Sequence, residues 1–74
     1  MKVIKRNGQI VEFDKTKIEN AVNKVFEEVY GEKNVVKARK IADVVTFKLK
    51  QSDKEPHVEY IQDVVEQTLM RVGE

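Results

Sequence analysis

Lys5, Arg6 and Lys17 are the residues of this chain whose types and spacing could do chemistry, and that chemistry is anion binding. Arginine offers a planar fork of donors and lysine a mobile point charge. Several negative charges close together, as on a triphosphate, are best met by such cations combined with free backbone donors. Lys17 follows Asp14, a helix-capping residue type, by three positions. It therefore sits where the first N–H groups of a helix have no intrahelical partner and already favour an anion.

The elements that must position these cations are a hairpin and the helix after it. Two short runs of β-branched and aromatic residues, Val3-Ile4 and Ile10-Val11-Glu12-Phe13, flank Asn7-Gly8, a strong short-range hairpin signal. A two-residue turn would pair Lys5 with Ile10 and put Val3, Lys5, Ile10 and Glu12 on one face. A three-residue loop, Arg6-Asn7-Gly8 with Gly8 left-handed in a bulge, pairs Lys5 with Gln9 instead. The second register is the reading adopted, because it groups Val3, Val11 and Phe13 beside Lys5, a bed for a flat base next to a phosphate-binding cation.

Each of these residues also has a plainer role. Lys2, Lys5 and Arg6 form a charged edge of the kind that discourages strand aggregation. Val3, Val11, Phe13 and Ile18 have ordinary core packing as their default, and Asp14 is a helix cap before it is a base. His57, the one histidine of the sequence, stands beside Pro56 at a helix start and reads as a capping or surface residue. Glu59, Asp63 and Glu66 recur at helical spacing without histidine or cysteine, which describes a solvated acidic face rather than a metal site. No catalytic arrangement emerges, and no Gly-x-x-x-x-Gly-Lys-Ser/Thr loop is present.

Composition narrows the function classes further. Seventy-four residues allow one domain with a modest core, too small for a roomy enzymatic site. A net charge of +1 lacks the basic excess of a protein that binds nucleic acid by neutralising phosphates. With no cysteine there is no disulfide framework and no zinc ribbon, in keeping with a reducing cytoplasm. No apolar run approaches a membrane span or a signal-peptide core.

Three helices are expected after the hairpin. Ile18, Ala21, Val22, Val25, Phe26 and Val29 recur at the spacing of an amphipathic helix that should stop near Tyr30, with Gly31 as its left-handed cap. Asn34 should cap a second helix over residues 35–50, with Ala38, Ile41, Ala42, Val45 and Leu49 on its buried stripe. Val44 and Phe47 widen that stripe, as if for two neighbours, the sheet and the third helix. Residues 51–56 form a polar connection ended by Pro56. The third helix, from His57 or Val58 to about Arg71, should face Val58, Ile61, Val65, Leu69 and Val72 inward, with Val64 to one side. The fold class is thus α+β, a small sheet laid over a bundle of three helices.

The run Val3-x-Lys5-Arg6-Asn7-Gly8, then Phe13-Asp14-x-x-Lys17-Ile18, then Val58-x-x-Ile61-Gln62-Asp63-x-Val65-Glu66 resembles the ATP-cone, a regulatory domain found mainly on ribonucleotide reductases. Each motif is weak alone, but the three in this order and spacing are fairly specific, and the resemblance covers nearly the whole chain. It implies a β roof over helices with ATP or dATP, together with Mg2+, bound between them as an allosteric effector and no bond broken there. Carried onto matching positions, it makes Lys5, Arg6 and Lys17 the phosphate and sugar contacts. Val3, Val11, Phe13 and Ile18 line the adenine side, Asp14 lies at the pocket edge, and Val58, Ile61 and Gln62 face the nucleotide from the third helix.

The chain departs from the family pattern at three places. Asn7 stands where an aspartate is common, which keeps the turn and removes a negative charge near phosphate. Gln62 stands where some members carry a histidine. ATP-cones usually continue into a fourth helix, so residues 1–74 are expected to be a cone truncated before it, followed by the rest of a reductase. A cone starting at Met1 is more similar to a reductase large subunit, the anaerobic type included, than to the ATP-cone repressor of reductase genes, which places a zinc ribbon first. The expected partners are an adenine nucleotide, the remaining reductase chain and further copies of the cone. The rival reading is a protein-interaction module docking through Val44, Phe47 and Val64.

Overall fold

The hairpin folds in the bulged register. In the computed structural model, which describes residues 1–52 and 55–72, β1 (Lys2–Ile4) runs antiparallel to β2 (Ile10–Glu12) with Val3 opposite Val11. Lys5 N–H donates to Gln9 O at 2.8 Å and Gly8 N–H to Lys5 O at 2.9 Å, closing the three-residue loop. Gly8 has φ of 86°, a left-handed conformation that L side chains adopt only with strain. Asn7 supports the loop by accepting from Gln9 N–H through its Oδ1 at 3.0 Å.

A third segment joins this sheet, which the sequence reading lacked. Ile4 N–H donates to Pro56 O at 2.9 Å, and Ile4 forms an isolated parallel bridge with His57. Pro56 is buried, and His57 O accepts from Ile61 N–H at 3.1 Å as the next helix begins. The start of that helix is thereby tied to the roof.

α1 (Lys15–Tyr30) is capped by Asp14, whose Oδ1 accepts from Thr16 N–H at 3.0 Å, and ends on Gly31 at φ of 84°. α2 (Val35–Lys50) is capped by Asn34, whose Oδ1 accepts from Lys37 N–H at 3.0 Å. The buried side chain of Asn23 in turn accepts from Asn34 N–H at 3.0 Å, fixing the connection between the two helices. α3 (Val58–Val72) completes the described fold. Of the expected connection over residues 51–56, Asp53 and Lys54 lie outside the described residues, as do Gly73, Glu74 and the side chain of Val72.

The core is one cluster in which α2 packs between α1 and α3. Ile18, Val22 and Phe26 of α1 meet Ala38, Ile41, Ala42, Val45 and Leu49 of α2. Three expectations are corrected. Of the stripe expected on α1, Ala21, Val25 and Val29 are exposed, because α1 meets α2 along the narrower line of Ile18, Val22 and Phe26. Val44 and Phe47 do not widen the buried face: they are 42% and 64% exposed, since α2 meets both helical neighbours through its central stripe. Phe47 lies about half a turn round from that stripe. On α3 the centre of the buried line is Val64, 5% exposed, with Thr68, 1% exposed, while Val58, Ile61, Val65 and Leu69 are half-buried. Thr68 is tolerated there because its hydroxyl donates to Val64 O at 2.8 Å and accepts from the Lys48 ammonium at 3.2 Å. Among the described residues, no helix is long and apolar enough to cross a membrane.

Candidate functional site

Beneath the hairpin lies a pocket of about 180 Å³ whose wall is drawn from both ends of the sequence. β1 and its continuation supply Val3 and Lys5, β2 and its continuation Val11 and Phe13, α1 Lys17 and Ile18, and α3 Val58 and Ile61. Val3 and Ile18 are buried at its floor, and Val11, Phe13, Val58 and Ile61 are half-buried around it. Lys5 and Lys17 are exposed, so the ammonium groups belong to the mouth and the apolar atoms to the interior. The register decides this, because only the bulged loop puts Val3, Val11 and Phe13 on the side of Lys5.

Asp14 also borders the pocket, its Oδ1 engaged in capping α1. Arg6 and Gln62 lie outside the wall and meet each other: the Arg6 guanidinium donates to Gln62 Oε1 at 3.3 Å, joining the hairpin loop to α3. The structure thus gathers the sequence-expected site residues into one pocket and one adjoining contact. Lys15, two positions before Lys17 on α1, is half-buried. It turns away from the pocket, but its ammonium pairs with Asp43 of α2 at 2.5 Å.

Glu12 is a wall residue that the sequence reading left out. Its carboxylate takes a hydrogen bond from the Lys2 ammonium directly across the ladder, and the chain's N-terminal ammonium lies 3.9 Å away. The Lys2 hydrogen bond, followed by the Lys2 charge, holds the Glu12 carboxyl below its ordinary range and raises Lys2 in return. The signal for this was the opposite-charge pair across the strands, legible once the register is known.

A larger hollow, about 380 Å³, lies between the end of α1 and the start of α2, against Phe26, Tyr30 and Lys37. Its wall comes from the end of α1, the connection and the start of α2 alone, with no residue of the hairpin or of α3. Among the described residues, no group of three or more histidine, cysteine or acidic side chains is placed to hold a metal ion.

The family model described as the ATP cone domain matches residues 1–74, including every segment that walls the hairpin pocket. The chain belongs to the ATP-cone family. A curated relative, the vitamin B12-dependent ribonucleoside-diphosphate reductase of Thermoplasma acidophilum, is 43% identical to this cone over 68 residues. That match covers 92% of the chain and 9% of the relative, so this ATP-cone spans under a tenth of the reductase that it resembles.

Proposed function

We propose that this ATP-cone is an allosteric domain that binds ATP or dATP under its hairpin and regulates the overall activity of a ribonucleotide reductase. The observation that carries the reading is the convergence of Lys5, Lys17 and six apolar side chains from opposite ends of the sequence on one pocket. At about 180 Å³ it falls below the roughly 300–1,000 Å³ of sites that enclose a whole small molecule. It suits a flat base held among Val3, Val11, Phe13, Ile18, Val58 and Ile61, with the phosphates outside at the rim.

There Lys5, Lys17 and Arg6 meet the phosphates, aided by the positive end of the α1 dipole. Mg2+ enters as a counter-ion of the phosphates. Asp14 borders the sugar, and Gln62 faces the nucleotide after giving up Arg6. The domain performs no chemistry itself; its bound state is passed to the reductase, in a cytoplasmic setting, through the tie between Ile4 and the start of α3.

Calorimetric titration with ATP, dATP and GTP tests this. The expected result is saturable binding of the two adenine nucleotides in preference to GTP. No binding of either, by the folded chain or by the reductase polypeptide proposed to carry it, would overturn the reading.

A further inference from the structure

We propose that the Asn7–Gly8 linkage is a self-modification site, at which Asn7 converts through a cyclic imide to aspartate and isoaspartate and so alters the hairpin roof. The reacting groups are neighbours along the chain: the Gly8 backbone nitrogen is the nucleophile, and Cγ of the Asn7 side chain is the electrophile. Gly8 has no Cβ to obstruct the approach, and the space where one would stand is open. Both residues are exposed, at the tip of a sheet whose strands are three residues long. Asn7 Oδ1 accepts from Gln9 N–H at 3.0 Å, a donor that draws charge from Cγ and is placed to hold the oxyanion formed by attack. Gly8 N–H is meanwhile held by Lys5 O at 2.9 Å. Ring closure therefore waits on the opening of that one exposed bond, a local event that loop tips undergo readily.

The conversion needs water as its one co-reactant. The Gly8 nitrogen passes its proton to solvent and bonds to Asn7 Cγ; the Cγ–Nδ2 bond then breaks, and ammonia leaves with a proton taken back from solvent. Water opens the ring in either of two ways. Addition at Cγ restores the original main chain with aspartate at position 7, whereas addition at the Asn7 backbone carbonyl leaves the chain running through Cβ and Cγ as isoaspartate. Either product puts a carboxylate beside Lys5 and Arg6 and takes the formal net charge from +1 to zero. Their geometry differs. Aspartate keeps the oxygen that accepts from Gln9 N–H. Isoaspartate adds one atom to the main chain of the loop, so the Gly8-to-Lys5 and Lys5-to-Gln9 bonds that set the bulged register cannot both close. The other asparagines are differently placed. Asn20 and Asn23 lie within α1, where the following N–H belongs to the helix ladder, and Asn34 precedes β-branched Val35.

Peptide mapping by mass spectrometry of the folded chain, incubated in mildly alkaline buffer, tests the proposal. The expected result is exchange of NH for O at Asn7 while Asn20, Asn23 and Asn34 remain amides. Isoaspartate should be among the products, because direct hydrolysis of the side-chain amide gives aspartate alone. Ion exchange separates the converted chains for amide NMR. The isoaspartate form should show Lys5 and Gly8 N–H released from their carbonyl partners, with α1, α2 and α3 unchanged. Asn7→Asp supplies the aspartate product directly and should keep both bonds. An Asn7 amide that outlasts the other asparagines, aspartate as the sole product, or an isoaspartate chain with an unchanged hairpin would overturn the proposal.

Discussion

The Arg6 guanidinium donates to Gln62 Oε1 at 3.3 Å, so the cation nearest the hairpin loop is held by α3. The contact is long, exposed and neutral on one side, which limits it to at most about 1 kcal/mol. A phosphate would compete for the same guanidinium with full charge. We therefore expect a double-mutant cycle of Arg6→Ala and Gln62→Ala, read by urea unfolding, to give a small favourable coupling in the free protein that disappears at saturating ATP. A coupling that persists unchanged with nucleotide bound would mean that Arg6 does not turn to the phosphates.

Lys17 and Lys15 make a sharper contrast. They lie two positions apart, about 200° round the helix, and the structure sends Lys17 to the pocket and Lys15 to Asp43. Lys17→Ala should lose on the order of 1.5–3 kcal/mol of triphosphate affinity. Lys15→Ala should change affinity only through weak, salt-screened attraction and lower stability by about 1 kcal/mol or less. Calorimetry at physiological ionic strength decides it, and equal affinity losses would place the nucleotide elsewhere.

On α3, Val64→Ala should be more destabilising than Val65→Ala. Val64 is 5% exposed within the core cluster, whereas Val65 is half-buried at its edge. Removing two methyl groups from the buried site should amount to roughly 1–3 kcal/mol, from lost transfer energy plus a residual cavity. Paired urea denaturation curves with equal m-values measure the difference, and the reverse order would mean that α3 is rotated from the position described here.

The Lys2–Glu12 pair predicts a pH dependence confined to acid solution. Glu12 has its carboxyl lowered in the fold, chiefly by the Lys2 hydrogen bond. Its contribution to hairpin stability is therefore complete above the ordinary glutamate value near 4.3 and is lost as pH falls through the lower folded value. Side-chain NMR titration should show Glu12 ionising below that ordinary value. Lys2→Ala should return it most of the way. No change on that substitution would mean that the cross-strand contact is not formed in solution.

What the sequence by itself determined are the features set by neighbours along the chain. The Asn7-Gly8 loop with left-handed Gly8, the Asp14 and Asn34 caps, the Gly31 stop and the inward line of Ile18, Val22 and Phe26 on α1 are all local hydrogen-bond and steric choices. The cations and apolar wall of the pocket were legible for the same reason, since strand alternation and helix phase fix which side chains share a face. Tertiary structure alone decided the rest. α3 carries apolar residues across so broad an arc that periodicity set the inward line on Val58, Ile61, Val65 and Leu69, whereas packing against α2 centres it on Val64 and Thr68. Thr68 could take a central position only because its hydroxyl bonds to Val64 O and Lys48, partners that a hydropathy pattern does not contain. The Ile4–Pro56, Lys15–Asp43 and Arg6–Gln62 contacts join residues far apart in sequence, and no local rule brings them together until the core has set the distance between roof and helices.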